Sequence, residues 1–207
     1  MIAIIDYGIG NLFSLKSSFL KIGEQAVVTS DRKTIEECDR IILPGVGAFE
    51  DAAKKLRDSG MDEVVVEQTA SGKPLMGICL GMQMLFEKSY EYGEHSGLGL
   101  IKGEVKPMKG ALSEELKIPH MGWNKLNFVG EKDSIFKYIS ENDFVYFVHS
   151  YYGANCENSV IATSEYGYPL TAAVADGNVF GCQFHPEKSG STGLNILRAF
   201  CEIGGDE

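Results

Sequence analysis

Short apolar runs alternate with helical patterns through the first half of the chain. The apolar runs have the length of buried strands and lie at Ile2–Ile5, Val27–Thr29, Arg40–Leu43 and Leu75–Ile78. Apolar residues recur at helical spacing in four other segments, namely 12–22 behind a capping Asn11, 48–59, 62–70 and 80–86. This alternation predicts an α/β fold in which a central, mostly parallel sheet is flanked by helices.

The second half of the chain has a different pattern, with many strand-like segments and few helical ones. These segments are Val105–Met108, Leu116–Ile118, Asn124–Phe128, Phe144–His149, Val160–Thr163, Thr171–Ala175 and Val179–Phe184. Asp176-Gly177 between two apolar runs predicts a hairpin, so we expect antiparallel or mixed pairing here. A last helix is predicted over 191–203. We find no repeat or linker and expect a single domain over residues 1–207.

Composition and charge exclude several classes of protein. The 207 residues are 44% hydrophobic and carry a net charge of −10. This acidic chain shows no basic footprint of the kind that a nucleic-acid binder usually needs. No apolar run can span a bilayer, and the N-terminus does not resemble a signal peptide. The five cysteines show no C-x-x-C spacing, and Gly8-x-Gly10 lacks the third glycine of a dinucleotide site. We therefore expect a cytoplasmic protein that binds no metal and no cofactor. We also expect it to bind no nucleic acid and no membrane.

Three turns follow predicted strands, at residues 6–10, 44–47 and 78–81. The carboxyl ends of parallel strands share one edge of a sheet, so these turns are expected to lie together. The third turn, Gly77-Ile78-Cys79-Leu80-Gly81, fits the nucleophile elbow G-x-nucleophile-x-G. Cys79 is then a candidate nucleophile, and the backbone N–H of Leu80 a candidate oxyanion donor. The alternative is a buried structural cysteine, a common role of this residue.

A thiolate nucleophile needs a base, and the candidate is His185 in Gln183-Phe184-His185-Pro186-Glu187. Pro186 favours an extended His185, and residues two apart in an extended segment face the same side. Glu187 is therefore expected to reach His185 and fix its tautomer. The alternative is a surface histidine beside a surface carboxylate. Because the His185–Glu187 pair and the elbow at Cys79 occur in the same strand–helix chain, a Cys-His-Glu triad is favoured.

Two further features are expected on the same edge of the sheet. Gln83 follows Cys79 by one helical turn, and its amide could bind a polar substrate. The alternative is a solvated helix glutamine. The turn Gly45-Val46-Gly47 offers backbone N–H groups for a second oxyanion donor, the alternative being an ordinary strand-ending turn.

These motifs together resemble the class I, triad-type glutamine amidotransferases. The runs Gly77-Ile78-Cys79-Leu80-Gly81-Met82-Gln83 and Gln183-Phe184-His185-Pro186-Glu187 carry the resemblance. More narrowly, the chain resembles the glutaminase subunits of imidazole glycerol phosphate synthase. The motifs behind this narrower match are Asp6–Asn11, Pro44–Phe49, His120–Asn124, Tyr146–Tyr151 and His185–Ser189.

The resemblance implies hydrolysis of L-glutamine and delivery of ammonia to a separate (β/α)8-barrel cyclase subunit. That partner forms imidazole glycerol phosphate and aminoimidazole carboxamide ribotide in histidine biosynthesis. By resemblance, Cys79, His185 and Glu187 are catalytic. The implied oxyanion and glutamine contacts are Gly45, Val46, Gly47, Leu80, Gln83, His149, Ser150 and Tyr151, although His149 could equally be structural. Asn11, Trp123 and Lys188 match positions at or near the partner interface.

Three alternatives to this function stay open. The chain could serve a synthase with another acceptor, or be an inactive scaffold that only binds a barrel. It could also be a Cys-His-Glu hydrolase or peptidase that acts alone on other amides.

Overall fold

The computed structural model describes residues 1–112 and 116–204, which form six α-helices and fourteen strands. The helices are α1 (Leu12–Lys21), α2 (Arg32–Glu37), α3 (Phe49–Asp58), α4 (Met61–Ala70), α5 (Leu80–Leu85) and α6 (Gly190–Cys201). The strands of the first half are β1 (Ile2–Ile5), β2 (Ala26–Thr29), β3 (Arg40–Leu43), β4 (Leu75–Ile78), β5 (Phe86–Ser89) and β6 (His95–Ser96). Those of the second half are β7 (Ile101–Pro107), β8 (His120–Lys125), β9 (Asn127–Phe128), β10 (Phe144–His149), β11 (Tyr151–Ala154), β12 (Val160–Glu165), β13 (Pro169–Asp176) and β14 (Val179–Cys182).

The central sheet has the strand order β2-β1-β3-β4-β14-β13-β12-β9. Its first five strands run parallel, and the last three pairings are antiparallel. Strand β14 joins the two halves, because it pairs in parallel with β4 on one side and forms the hairpin at Asp176-Gly177 with β13 on the other. The predicted mostly parallel sheet and the more antiparallel second half are both confirmed.

The parallel strands are buried on both faces, which explains why they are continuous apolar runs rather than alternating ones. In β1, Ala3 and Ile5 belong to the core under α3, α4 and α5. Ile2 and Ile4 belong to the opposite core, under α1 and α6. The sheet therefore places the carboxyl ends of β1, β3 and β4 between two packed layers, which fixes the turns that follow them.

Parts of the second half pair outside the central sheet. Strands β11, β7, β5 and β6 form a four-stranded sheet, and β8 pairs with β10 alone. The predicted strand at Leu116–Ile118 is wrong, because this segment is bent and unpaired and leads into Pro119. Proline has no N–H for a ladder and restricts the residue before it, so the strand begins only at His120.

The sequence pattern missed several short elements and misjudged one helix cap. Helix α2 has one buried apolar residue, Ile35, and is instead held by the Asp31 carboxylate, which accepts the backbone N–H of Thr34. Such a short, charged helix leaves no apolar period. Asn11 precedes α1 as expected, but its side chain makes no capping hydrogen bond; only its backbone carbonyl accepts, from the N–H of Leu15.

Candidate active site

Cys79 lies at the sharp turn between β4 and α5, in a backbone conformation that side chains rarely adopt. Its φ is 55° and its ψ is −111°. The surrounding fold holds this strained residue, because its N–H donates to the carbonyl of Cys182 at 2.7 Å and its carbonyl accepts from Gln83 at 3.1 Å. The turn thus fixes the direction of the Cys79 side chain.

The two glycines of the elbow are required for space. A methyl group on Gly81 would collide with the carbonyl oxygen of Leu43, on the neighbouring strand. A methyl group on Gly77 would lie 2.6 Å from the carbonyl oxygen of Gly81. The elbow is therefore packed tightly against β3, and both glycines are close-approach positions.

His185 follows β14 on the same edge of the sheet and is held by main-chain contacts. Its N–H donates to the carbonyl of Tyr146 at 2.9 Å, and its own carbonyl accepts from the Ser189 hydroxyl at 2.6 Å. The same hydroxyl accepts the N–H of Tyr146 at 2.9 Å. His185 is extended, as Pro186 predicts, with φ −100° and ψ 98°.

Glu187 lies beside His185, with 2.8 Å between Oε1 and the Nδ1 of the ring. The reason differs from the one expected, because Pro186–Lys188 forms a 3-10 turn rather than an extended segment. Both side chains are almost completely buried, at 2% and 1% exposure. A buried carboxylate at this distance fixes Nδ1 as the protonated nitrogen and leaves Nε2 for chemistry.

The electrostatics favour a charged imidazole at His185. Burial alone would lower the pKa of this ring, but hydrogen bonds and charges from Cys79 and Glu187 outweigh it and raise the pKa to about 9. Cys79 and His185 line one cavity. A protonated His185 can give up the proton on Nε2 to a group in that cavity.

A cavity of about 340 Å³ opens over the sulfur of Cys79. It is lined by Val46, Gly47, Cys79, Leu80, Gln83, Glu91, Pro119, Val148, His149, Ser150, Tyr151 and His185. Of the predicted catalytic, oxyanion and glutamine-binding residues, Gly45 and Glu187 do not line it. Glu187 stands behind His185, and Gly45 packs under the elbow, where a methyl group would lie 2.6 Å from the N–H nitrogen of Gly81. The cavity is large enough for a free amino acid.

Gln83 is buried rather than solvated, with 4% of its surface exposed. Its Nε2 donates to the carbonyl of Tyr151 at 3.2 Å and to Oε1 of Gln183 at 3.0 Å. Both N–H groups are therefore used within the protein, and Oε1 is the atom left for a ligand.

Glu91 lines the cavity and was missed in the sequence. Burial raises the pKa of its carboxyl group, against a hydrogen bond from the backbone N–H of Phe49 at 2.6 Å, which lowers it. Among the described residues that line the cavity, Glu91 alone is acidic. Glu91 lies in the loop between β5 and β6, at no motif spacing from Cys79 or His185, so the sequence gives no signal for it.

Tyr7 was also missed and supports the turn at 44–47. Its hydroxyl donates to the carbonyl of Pro44 at 2.6 Å. Burial, and then the charge of Cys79, raise the pKa of this phenol. The turns after β1, β3 and β4 therefore meet at one edge, as the strand order predicts.

His149, in the cavity wall, and His120, outside the lining, form a buried pair. His149 Nδ1 lies 2.8 Å from the carbonyl of Tyr151, and its Nε2 lies 3.0 Å from Nδ1 of His120. The carbonyl can only accept, so Nδ1 of His149 carries the proton and its Nε2 accepts from His120. Burial lowers the pKa of both rings to about 4. Both histidines are therefore neutral at pH 7.

Of the three predicted partner-interface residues, Trp123 and Lys188 are exposed and Asn11 is half-buried. Trp123 is 54% exposed and meets the Tyr146 ring edge-on, with 6.1 Å between centroids. The Nζ of Lys188, one residue after Glu187, lies 5.9 Å from the centroid of the same ring. Asn11 directly precedes α1, which packs near the 3-10 turn of Glu187.

Within residues 1–112 and 116–204, no cluster of three or more His, Cys, Asp or Glu side chains has the arrangement of a metal site. Over the same described residues, no helix has both the length and the apolar character needed to cross a bilayer.

Solved structures of other proteins share this fold. A crystal structure of a glutamine amidotransferase matches with a TM-score of 0.77 and 20% identity, over 100% of both chains. PurLQS from Thermotoga maritima matches with a TM-score of 0.76 and 20% identity, over 97% of both chains. At this identity the likeness concerns the fold alone.

Sequence comparisons place the chain more narrowly. The imidazole glycerol phosphate synthase subunit HisH of Wolinella succinogenes is 50% identical over 206 residues, covering 99% of this chain and 100% of that protein. The HisH subunit of Lactococcus lactis subsp. lactis is 50% identical over 202 residues, covering 97% and 98%. A sequence model of the family glutamine amidotransferase class-I matches residues 3–203. The chain therefore belongs to the class-I glutamine amidotransferase family.

Proposed function

We propose that the chain is the glutaminase subunit of an imidazole glycerol phosphate synthase and works as one domain over residues 1–207. It hydrolyses glutamine and passes the ammonia to a cyclase subunit in histidine biosynthesis. The observation that carries the proposal is a strained cysteine at a strand–helix elbow, against a buried His185–Glu187 pair, at a cavity of amino-acid size.

The reaction begins when the Cys79 thiolate attacks the side-chain amide carbon of glutamine. The carbonyl oxygen takes up the electron pair, and the backbone N–H of Leu80 is placed to stabilise it. A donor from the turn Gly45–Gly47 completes the oxyanion site. Loss of one such donor typically costs about 100- to 1000-fold in rate. The imidazolium of His185 then gives its Nε2 proton to the leaving ammonia, and a glutamyl thioester remains on Cys79.

The rest of the cavity suits the amino-acid end of glutamine. The Glu91 carboxylate faces the α-ammonium group, and Oε1 of Gln83 accepts a second of its N–H bonds. The segment His149–Tyr151 forms the opposite wall. A bound ammonium group places a positive charge beside the buried Glu91 carboxylate. This opposite charge lowers the pKa of that carboxyl group.

Hydrolysis of the thioester completes the cycle. Neutral His185 takes a proton from water, whose oxygen bonds to the acyl carbon, and the C–S bond breaks with its electron pair on sulfur. Ammonia must stay neutral to serve as a nucleophile, so a docked cyclase has to enclose its path. The exposed face with Trp123 and Lys188, beside the triad, is the proposed docking surface. In the complex, the ammonia is used to form imidazole glycerol phosphate and aminoimidazole carboxamide ribotide.

Glutamate release by the purified subunit with its cyclase tests the proposal. We expect release to rise when the cyclase and its ligand are present. We expect Cys79→Ala to abolish it, while Cys201→Ala, at a cysteine remote from the cavity, leaves it unchanged. Glutamate release by the Cys79→Ala complex would contradict the proposed mechanism. Co-purification with a synthase for another acceptor would contradict the proposed partner.

A further inference from the structure

Gln183 is a fully buried polar side chain next to the nucleophile that the mechanism so far does not use. It follows β14, its exposure is 0%, and its backbone N–H donates to the carbonyl of Ala172 at 2.9 Å. Its amide has two polar neighbours: Oε1 lies 3.0 Å from Nε2 of Gln83, and Nε2 lies 3.8 Å from the sulfur of Cys79. A buried amide is expensive unless both of its ends are satisfied, so this placement requires an explanation.

The orientation of this amide follows from its neighbours. The carbonyl of Tyr151 can only accept a hydrogen bond, and it already faces the protonated Nδ1 of His149. Gln83 must therefore turn its NH2 group toward that carbonyl, which directs the other N–H to Gln183. Gln183 must accept this N–H with Oε1, so its own NH2 group faces the sulfur.

We propose that Gln183 is a further catalytic residue, whose amide N–H donates to the sulfur of Cys79 and holds the thiolate in the attacking position. Gln83, with the Tyr151 carbonyl behind it, is the positioning residue for this amide. The inference deepens the proposed glutaminase function and rests on it.

The N–H donor of Gln183 can stabilise the sulfur at two steps of the proposed reaction. Sulfur carries negative charge before it attacks the amide carbon, and again when hydrolysis of the thioester returns the bonding electron pair to it. A hydrogen bond from a buried amide stabilises sulfur in both charged states.

A structural role is the alternative, in which Gln183 only supports Gln83. The two roles separate in experiment. Loss of support for Gln83 would weaken glutamine binding and raise KM, without changing how the sulfur reacts with a small electrophile. Loss of a donor to sulfur would slow that reaction and lower kcat, even where no glutamine is present.

The rate at which iodoacetamide alkylates Cys79 in the full chain measures the reactivity of the sulfur directly. Peptide mass mapping identifies the modified residue. Gln183→Met keeps the length of the side chain and removes the N–H groups. We expect alkylation of Cys79 at pH 7 to slow about tenfold, the low end for a hydrogen bond to a charged group. We expect the pH profile of the rate to move to higher pH. Gln25→Met, at an exposed glutamine far from the cavity, should match the unsubstituted protein.

Gln183→Glu gives a second variant of nearly identical shape, with a carboxylate oxygen facing the sulfur. We expect it to slow alkylation more than Gln183→Met does. An unchanged rate and pH profile in a folded Gln183→Met or Gln183→Glu protein would overturn the inference, even if glutaminase activity fell.

A measurement on the unsubstituted protein keeps the inference testable if neither variant folds. The side-chain amide resonances of Gln183 should move when Cys79 is alkylated, because the acceptor changes from a thiolate to a thioether. Resonances that do not move would refute the contact. Neither experiment uses glutamine, so a protein that lacks glutaminase activity altogether would contradict the proposed function separately.

Discussion

The two walls of the cavity differ in how firmly the fold fixes them. The wall at Cys79 is buried: Cys79 is 8% exposed, and a methyl group on Gly81 would meet the backbone of β3. Val46 and Gly47 form a second wall: Val46 is 41% exposed, and a side chain on Gly47 would meet open space. The packing therefore builds Cys79 into the sheet, whereas Val46 and Gly47 have room to adjust to a substrate or partner.

The largest effect is expected on the buried wall, from His185→Asn. Asparagine fills part of the space but cannot exchange a proton, so glutamate release by the complex should fall about 1000-fold. His95→Asn, at a histidine outside the cavity, provides the control and should retain full activity. A loss of less than about tenfold in His185→Asn would show that the base lies elsewhere.

Glycine substitutions compare the two walls directly. Gly81→Ala pushes a methyl group into the Leu43 carbonyl and should lower the free energy of unfolding by about 3 kcal/mol or more. Gly47→Ala meets no atom and has only its positive φ of 90° to accommodate, which costs about 1–2 kcal/mol. Urea unfolding of both variants measures the difference. Equal losses would contradict the contrast between the walls.

Glu187→Gln tests how the carboxylate supports the base. The amide cannot stabilise the imidazolium as a carboxylate does, so the pKa of His185 should fall from about 9. We expect glutamate release to fall about 100-fold at pH 7, within the range for general acid–base catalysis. Titration of the His185 ring by NMR provides the accompanying readout. An unchanged ring titration would separate Glu187 from the mechanism.

The smallest effect concerns the neutral pair of His120 and His149. In the fold His120 and His149 have pKa values of about 4, against about 6.5 in an unfolded chain. As pH falls, the unfolded chain takes up protons first, so the unfolding free energy contributed by the pair is present above pH 6.5 and is lost between about pH 6.5 and 4.

His120→Phe isolates this contribution, because the ring at this position is stacked between Phe147 and Tyr166. The variant should show a shallower decline of the urea midpoint between pH 6.5 and 4 than the unsubstituted protein. Parallel declines in the two proteins would mean that other groups carry the acid sensitivity.

The sequence could predict features whose signal is local. The elbow at Cys79 and the pair His185–Glu187 are each encoded within five residues, and the parallel strands appear as apolar runs. It could not predict contacts between distant positions, such as Tyr7 with Pro44 or Gln183 with Gln83. Strands β5, β6 and β11 are short and lack alternation, and Leu116–Ile118 has an apolar pattern without a strand to pair with. These features depend on tertiary packing, which no short window contains.

The most direct test of the account is to trap the acyl-enzyme. The complex is mixed with glutamine, quenched in acid within one turnover and digested, and each cysteine peptide is weighed by mass spectrometry. The account predicts a glutamyl group on the peptide that contains Cys79 and unmodified Cys38, Cys156, Cys182 and Cys201. Glutamate release at full rate, with the glutamyl group absent from Cys79 or present on another residue, would contradict it.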